Sequence, residues 1–127
     1  GVTAGMGRKV DVIEGERIFI EASSLLLSRD GWDVVTHSNG HDAVDAVRAR
    51  KPDIVILGVM LPGKSGFDIL QEIRSDAELG QTPVLMLTAR GQDKDREMAE
   101  RAGASAYMTK PFSNADVLDA VRQLATV

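Results

Sequence analysis

The chain has 127 residues, 43% hydrophobic and 27% charged, with a formal net charge of −4, which fits one domain with a core rather than a nucleic-acid or anionic-membrane binder. The absence of cysteine excludes disulfides, thiolate metal sites and cysteine nucleophiles. The apolar runs are too short to span a bilayer and no signal peptide is visible, so a cytoplasmic location is expected.

Residues 1–8 read as a Gly-rich flexible tail, and 9–127 as one domain. Val10 to Ile13 is predicted as the first strand. A helix follows from Glu16 to Asp30, with Ile18, Phe19, Ala22, Leu25 and Leu26 on one face, and Gly31 stops it. Trp32 to His37 is strand two. Asn39 is expected to cap a second helix carrying Ala43, Val44, Ala46 and Val47. Ile54 to Leu57 is an unbroken apolar run, as a central parallel strand buried on both faces requires. Ser65 with Asp68 has the capping-box spacing for helix three. Pro83 to Thr88 is strand four. The next helix runs from Asp93 to Ala102 and stops at Gly103. Ala106 to Met108 is a short strand five. Ser113 with Asp116 opens the last helix, which carries Val117, Leu118, Val121 and Leu124.

Short β-branched runs alternating with amphipathic helices imply βαβ units. Right-handed crossovers then give an open, doubly wound α/β sheet. In such sheets sites form at the carboxyl ends of the strands. Those ends carry Glu14, Gly15 and Glu16, then Gly58, Thr88 and Lys110.

The segment Pro52-Asp53-Ile54-Val55-Ile56-Leu57-Gly58-Val59-Met60-Leu61-Pro62-Gly63, with Thr88, Gly103-Ala104 and Lys110-Pro111-Phe112, resembles the receiver domain of two-component response regulators. The resemblance covers residues 9–126. It implies a flavodoxin-like five-stranded parallel sheet in order 2-1-3-4-5, with two helices on one face and three on the other. It also implies a cis Lys110–Pro111 bond, and switch residues at Thr88 and Tyr107.

The departures from the family pattern fall at its phosphorylation site. Receivers have a phosphoacceptor aspartate where this chain has Gly58, and a metal-ligating carboxylate where it has Gly15. Glu14 retains one acid, Glu16 lies nearby, and Met60 could still offer a backbone carbonyl. Magnesium takes near-octahedral oxygen ligands, usually with one or two carboxylates. Neither a metal nor another cofactor is therefore expected. Lys110 reads as an ion-pair partner of Glu14, since buried charges need partners. His37 and His41 read as surface residues, and Trp32 as packed between helix one and strand two.

The resemblance implies a degenerate receiver that is not an enzyme. Its expected role is a phosphorylation-independent interaction module in a phosphorelay-type pathway. The partner would be a signalling protein, such as a histidine kinase or downstream effector, and the domain a monomer or weak dimer. The interaction face would be helix four, strand five and helix five, with Arg96, Glu100, Tyr107 and Arg122. One receiver subfamily dimerises there through charged residues where this chain has Ser105, Ala106 and Ala120. The alternative is a vacated pocket that binds a small anion or metabolite near Lys110 and Thr88.

Overall fold

A computed structural model of the chain describes residues 8–88, 93–109 and 113–125. Five strands, β1 (Lys9–Ile13), β2 (Asp33–His37), β3 (Ile54–Gly58), β4 (Val84–Thr88) and β5 (Ala106–Thr109), form one sheet in the order β2-β1-β3-β4-β5. Every pairing is parallel. The helices between and after them are α1 (Arg17–Arg29), α2 (Ala43–Arg50), α3 (Gly66–Ser75), α4 (Asp93–Ala102) and α5 (Asn114–Ala125).

Successive strand side chains point to opposite faces, and two cores result. Val10, Val12, Ile54 and Ile56 pack with Phe19 and Leu27 of α1 and with Val117 and Val121 of α5. Ile13, Val55, Leu57 and Met86 pack with residues of α2, α3 and α4, among them Val47, Ile69 and Ala99. The expected two-and-three division of helices is what the chain adopts.

Most local signals act as their chemistry suggests. Gly31 and Gly103 lie at φ +92° and +95°, the left-handed region in which glycine ends helices without penalty. Ser113 and Asp116 form a full capping box. The Asp116 N–H donates to Ser113 Oγ, and the Ser113 N–H donates to Asp116 Oδ2, both at 3.1 Å. Ser65 caps α3 by accepting the Phe67 N–H at 3.2 Å. Asn39 does not cap α2. The cap position is Asp42, and Asn39 Oδ1 accepts the His41 N–H inside the preceding loop. A short Asx turn there competes with the cap for the same side chain. Trp32 is buried in the core that holds Val10 and Leu27.

In the β1–β2 region His37 departs from the sequence reading, and a buried acid that the reading did not address explains why. Asp11, mid-strand in β1, is fully buried. His37 is half-buried rather than a surface residue, because its Nε2 lies 3.1 Å from Asp11 Oδ2. Arg50 Nε donates to the other Asp11 oxygen at 2.6 Å, and Arg50 also bonds Asp33. His41 is exposed, as expected.

Candidate functional site

The parallel register places the site. Ile13 of β1 pairs with Leu57 of β3, so the next residues along, Glu14 and Gly58, stand side by side. Gly58 in turn pairs with Leu87 of β4, which brings Thr88 to the same end. Glu14 and Thr88 are buried, at 6% and 7% exposure. A cavity of about 420 Å³ opens above them, lined by Glu14, Gly15, Glu16, Val59, Met60, Leu61, Pro62, Leu87 and Thr88. Five of the residues named from sequence for this site therefore line one hollow. Gly58 lies beneath it. Lys110 and the Lys110–Pro111 bond fall outside the described residues.

Gly58 leaves no open space behind. A Cβ built on residue 58 would stand 2.9 Å from Glu14 Cδ and 3.3 Å from Oε1, with Oε2 closer still. The Glu14 carboxylate thus occupies the volume of a residue-58 side chain. It is held there by the start of the β1–α1 turn. Oε1 accepts the Gly15 N–H at 3.1 Å and the Glu16 N–H at 3.2 Å. Charge-assisted bonds to backbone N–H groups are among the stronger hydrogen bonds a carboxylate makes.

Gly15 is different. A Cβ there would meet only Pro62 Cδ at 3.5 Å and the Met60 carbonyl at 3.7 Å, both ordinary contacts. A side chain would fit, and it would stand beside the Met60 carbonyl that the sequence nominated. The donor set does not fit magnesium. Glycines stand at 15 and 58, and Glu14 Oε1 is committed to backbone donors. Among the described residues, no group of three or more His, Asp or Glu side chains could hold a metal ion.

The β3–α3 loop is packed tightly onto the site. The Gly66 N–H donates to the Val59 carbonyl at 2.8 Å. A Cβ on Gly66 would collide with the Gly58 carbonyl group, its carbon being 2.9 Å away. Only glycine lets α3 begin so close to the end of β3.

The expected interaction face lies apart from the cavity. Arg96 sits over the Tyr107 ring at 6.0 Å, and both line a second hollow with Glu100. Along α4, Arg96, Glu97, Glu100 and Arg101 are exposed. Arg122 is exposed too, but it is tied to the end of α1, with Nη2 donating to Asp30 Oδ1 at 2.5 Å and Nε to Oδ2 at 3.2 Å. The Arg122 hydrogen bond holds the Asp30 carboxyl below its ordinary pKa. Ser105, on the same side, serves the fold. Its Oγ accepts the Val84 N–H and lies 3.3 Å from Arg74 Nη2.

Sequence reasoning missed the Asp11–Arg50–His37 cluster. A lone aspartate inside an apolar strand was the available signal, because a buried carboxylate demands partners. Burial works to lower the Arg50 pKa, yet its hydrogen bonds to Asp11 and Asp33 outweigh that and hold it above the ordinary value. Asp11 stands in the middle of β1. It is fully buried, and both its oxygens are engaged.

The family model for the response regulator receiver domain matches residues 10–122. Among solved structures, the chain is similar to a protein of Chloroflexus aurantiacus described as a response regulator. They share 26% identity, with 94% of this chain and 98% of that one covered at a TM-score of 0.89. It is similar to the BeF3-activated N-terminal receiver domain of RstA from Klebsiella pneumoniae, at 28% identity, 94% and 99% coverage and a TM-score of 0.86. The receiver domain of the sensor histidine kinase PA1611 from Pseudomonas aeruginosa, which holds a magnesium ion in its active-site cleft, shares the fold. Identity is 24%, coverage 95% and 99%, and the TM-score 0.86.

Proposed function

The chain belongs to the response regulator receiver domain family, and from that premise we propose that it serves two-component signalling as a phosphorylation-independent protein-interaction module. One observation carries this reading. Residue 58, at the end of β3, is a glycine whose side-chain volume is filled by the Glu14 carboxylate. Phosphoryl transfer needs an in-line nucleophile and neutralisation of the transferring charge. A glycine supplies no nucleophile. The glycines at 15 and 58 also deprive the cleft of two carboxylates of the receiver pattern, and magnesium usually depends on one or two such ligands.

The function then rests on the surface rather than on chemistry in the cleft. The partner is a signalling protein, a histidine kinase or a downstream effector, bound at the α4–β5–α5 face around Arg96, Glu100 and Tyr107. Among the described residues, no helix is long and apolar enough to cross a membrane.

A second reading places a small anion or metabolite in the cavity near Thr88 and Lys110. The volume of about 420 Å³ supports it. Two glutamates in the lining count against an anion, because like charges repel more strongly away from bulk water.

Incubation with acetyl phosphate and magnesium, followed by intact mass measurement, tests the first reading. The mass is expected to stay unchanged. A stable phosphoryl adduct on a residue facing the cleft overturns it. Calorimetric titration with inorganic phosphate tests the second reading, which predicts heat that Lys110→Ala abolishes.

A further inference from the structure

Gly58 has more to explain than a missing nucleophile. Removing a side chain from the end of a buried strand ordinarily leaves a void, and interiors contain few voids. Here the next strand fills it. Glu14 and Gly58 are neighbours in register, both buried. The longer side chain on β1 reaches into the room the missing one on β3 has left, and the backbone of the β1–α1 turn grips it there through the Gly15 and Glu16 N–H groups.

From this arrangement we infer that Glu14 is a latch, seated in the residue-58 position, that fixes the conformation of the β1–α1 turn. The inference rests on the reading of the cleft as non-phosphorylated and adds what controls it. The α1 cap residue, Glu16, makes no side-chain cap bond of its own. The turn's first N–H groups depend on the neighbouring carboxylate instead. Anything that evicts the carboxylate from beneath the cleft releases both N–H bonds together. The group most directly affected is the first turn of α1, where Ile18 stands 83% exposed. The latch therefore couples the interior of the old site to the surface beside it, with no covalent modification.

The coupling is measurable without a phosphodonor. Four proteins are compared: the unmodified chain, Gly58→Ala, Glu14→Asp and the double variant. Glu14→Asp keeps the charge but withdraws the carboxylate from the space beside residue 58. Amide hydrogen exchange at Gly15 and Glu16, read by NMR, reports the latch, and urea unfolding reports stability. In the Glu14 background, Gly58→Ala is expected to speed exchange at both amides about tenfold or more, and to raise the unfolding constant about tenfold, the equivalent of ~1.4 kcal/mol. In the Glu14→Asp background the same change is expected to alter either quantity less than about threefold, since coupled neighbours are non-additive. If Gly58→Ala alone fails to fold, the double variant is expected to fold. Equal effects in both backgrounds, unchanged exchange in Gly58→Ala, or a double variant as damaged as the single one overturns the latch. Phosphorylation of the unmodified chain with the coupling intact would instead refute the proposed function and leave the latch standing.

Discussion

The carboxylate of Glu14 and the missing side chain of Gly58 share one volume, with Glu14 Cδ 2.9 Å from where a residue-58 Cβ would stand. This relationship decides how a metal site could be rebuilt. Adding aspartates at 15 and 58 supplies two carboxylates, and residue 15 has room for its own. Residue 58 has room only once the Glu14 carboxylate, the far end of a flexible side chain, turns aside. Gly15→Asp/Gly58→Asp is expected to bind magnesium poorly. The same pair with Glu14→Asp should bind at least about tenfold tighter, a gain of ~1.4 kcal/mol. Calorimetric magnesium titration reads the difference. Equal affinity in the two variants would contradict the steric account.

The close start of α3 gives a second prediction. Alanine in place of a helical glycine ordinarily gains up to about 1 kcal/mol. At residue 66 the added methyl would meet the Gly58 carbonyl and the Val59 backbone, neither of which can rotate aside. Forcing atoms into a packed site costs about 1–3 kcal/mol. Gly66→Ala is therefore expected to lower stability in urea denaturation, against the trend of helix propensity. A stabilised variant would show that α3 shifts freely.

The buried cluster at β1 supplies the third. Asp11 is fully buried and receives Arg50 and His37. Breaking a buried pair by removing one partner costs about 3–5 kcal/mol. Arg50 retains Asp33, so Asp11→Ala is expected near the lower end. The apolar replacement of both partners, Asp11→Leu/Arg50→Leu, should cost less than Asp11→Ala alone. Chemical denaturation of the two variants gives the comparison.

The alternation of strands and helices made the topology readable, because a two-residue period and a 3.6-residue period differ even in short stretches. The parallel register made Gly58, Thr88 and Glu14 neighbours in principle. What did not follow from the sequence was that Glu14 would reach sideways into the Gly58 volume. That depends on side-chain length, and on which backbone donors the β1–α1 turn aims at it. Asp11 and Arg50 are 39 residues apart, and no local pattern links them. Asn39 was misread because the same side chain can serve a turn or a helix cap, and tertiary packing chose the turn.

A fourth prediction concerns acid. The Asp30 carboxyl titrates below its ordinary value of about 3.9 because Arg122 bonds it in the folded state. A depressed folded pKa adds stability above the unfolded pKa, and that stability is lost as pH falls through the folded value. Arg122→Ala is therefore expected to be less stable than the unmodified chain at pH 6, with the gap narrowing below about pH 4. Thermal unfolding across that range measures it. A gap that persists at pH 2 would assign the effect of Arg122 to packing instead.

The last prediction concerns switching. Two conformations shift in population only when something binds them differently. In the receiver pattern, a phosphoryl group biases the residues equivalent to Thr88 and Tyr107. Here Gly58 offers no place to attach one. The Tyr107 ring already has Arg96 over it at 6.0 Å, a cation–aromatic contact worth about 0.5–1 kcal/mol at an exposed site. Tyr107 is therefore expected to keep one environment, with its NMR signals unmoved by acetyl phosphate or beryllofluoride in the presence of magnesium. The α4–β5–α5 face is then expected to be presented constantly. Arg96→Glu and Glu100→Arg should weaken capture of a partner from cell extract while leaving the unfolding midpoint within a few degrees. Arg122→Glu should cost stability first, because it breaks the bond to Asp30 of α1. Movement of the Tyr107 signals on adding beryllofluoride would mean that the cleft still communicates with this face.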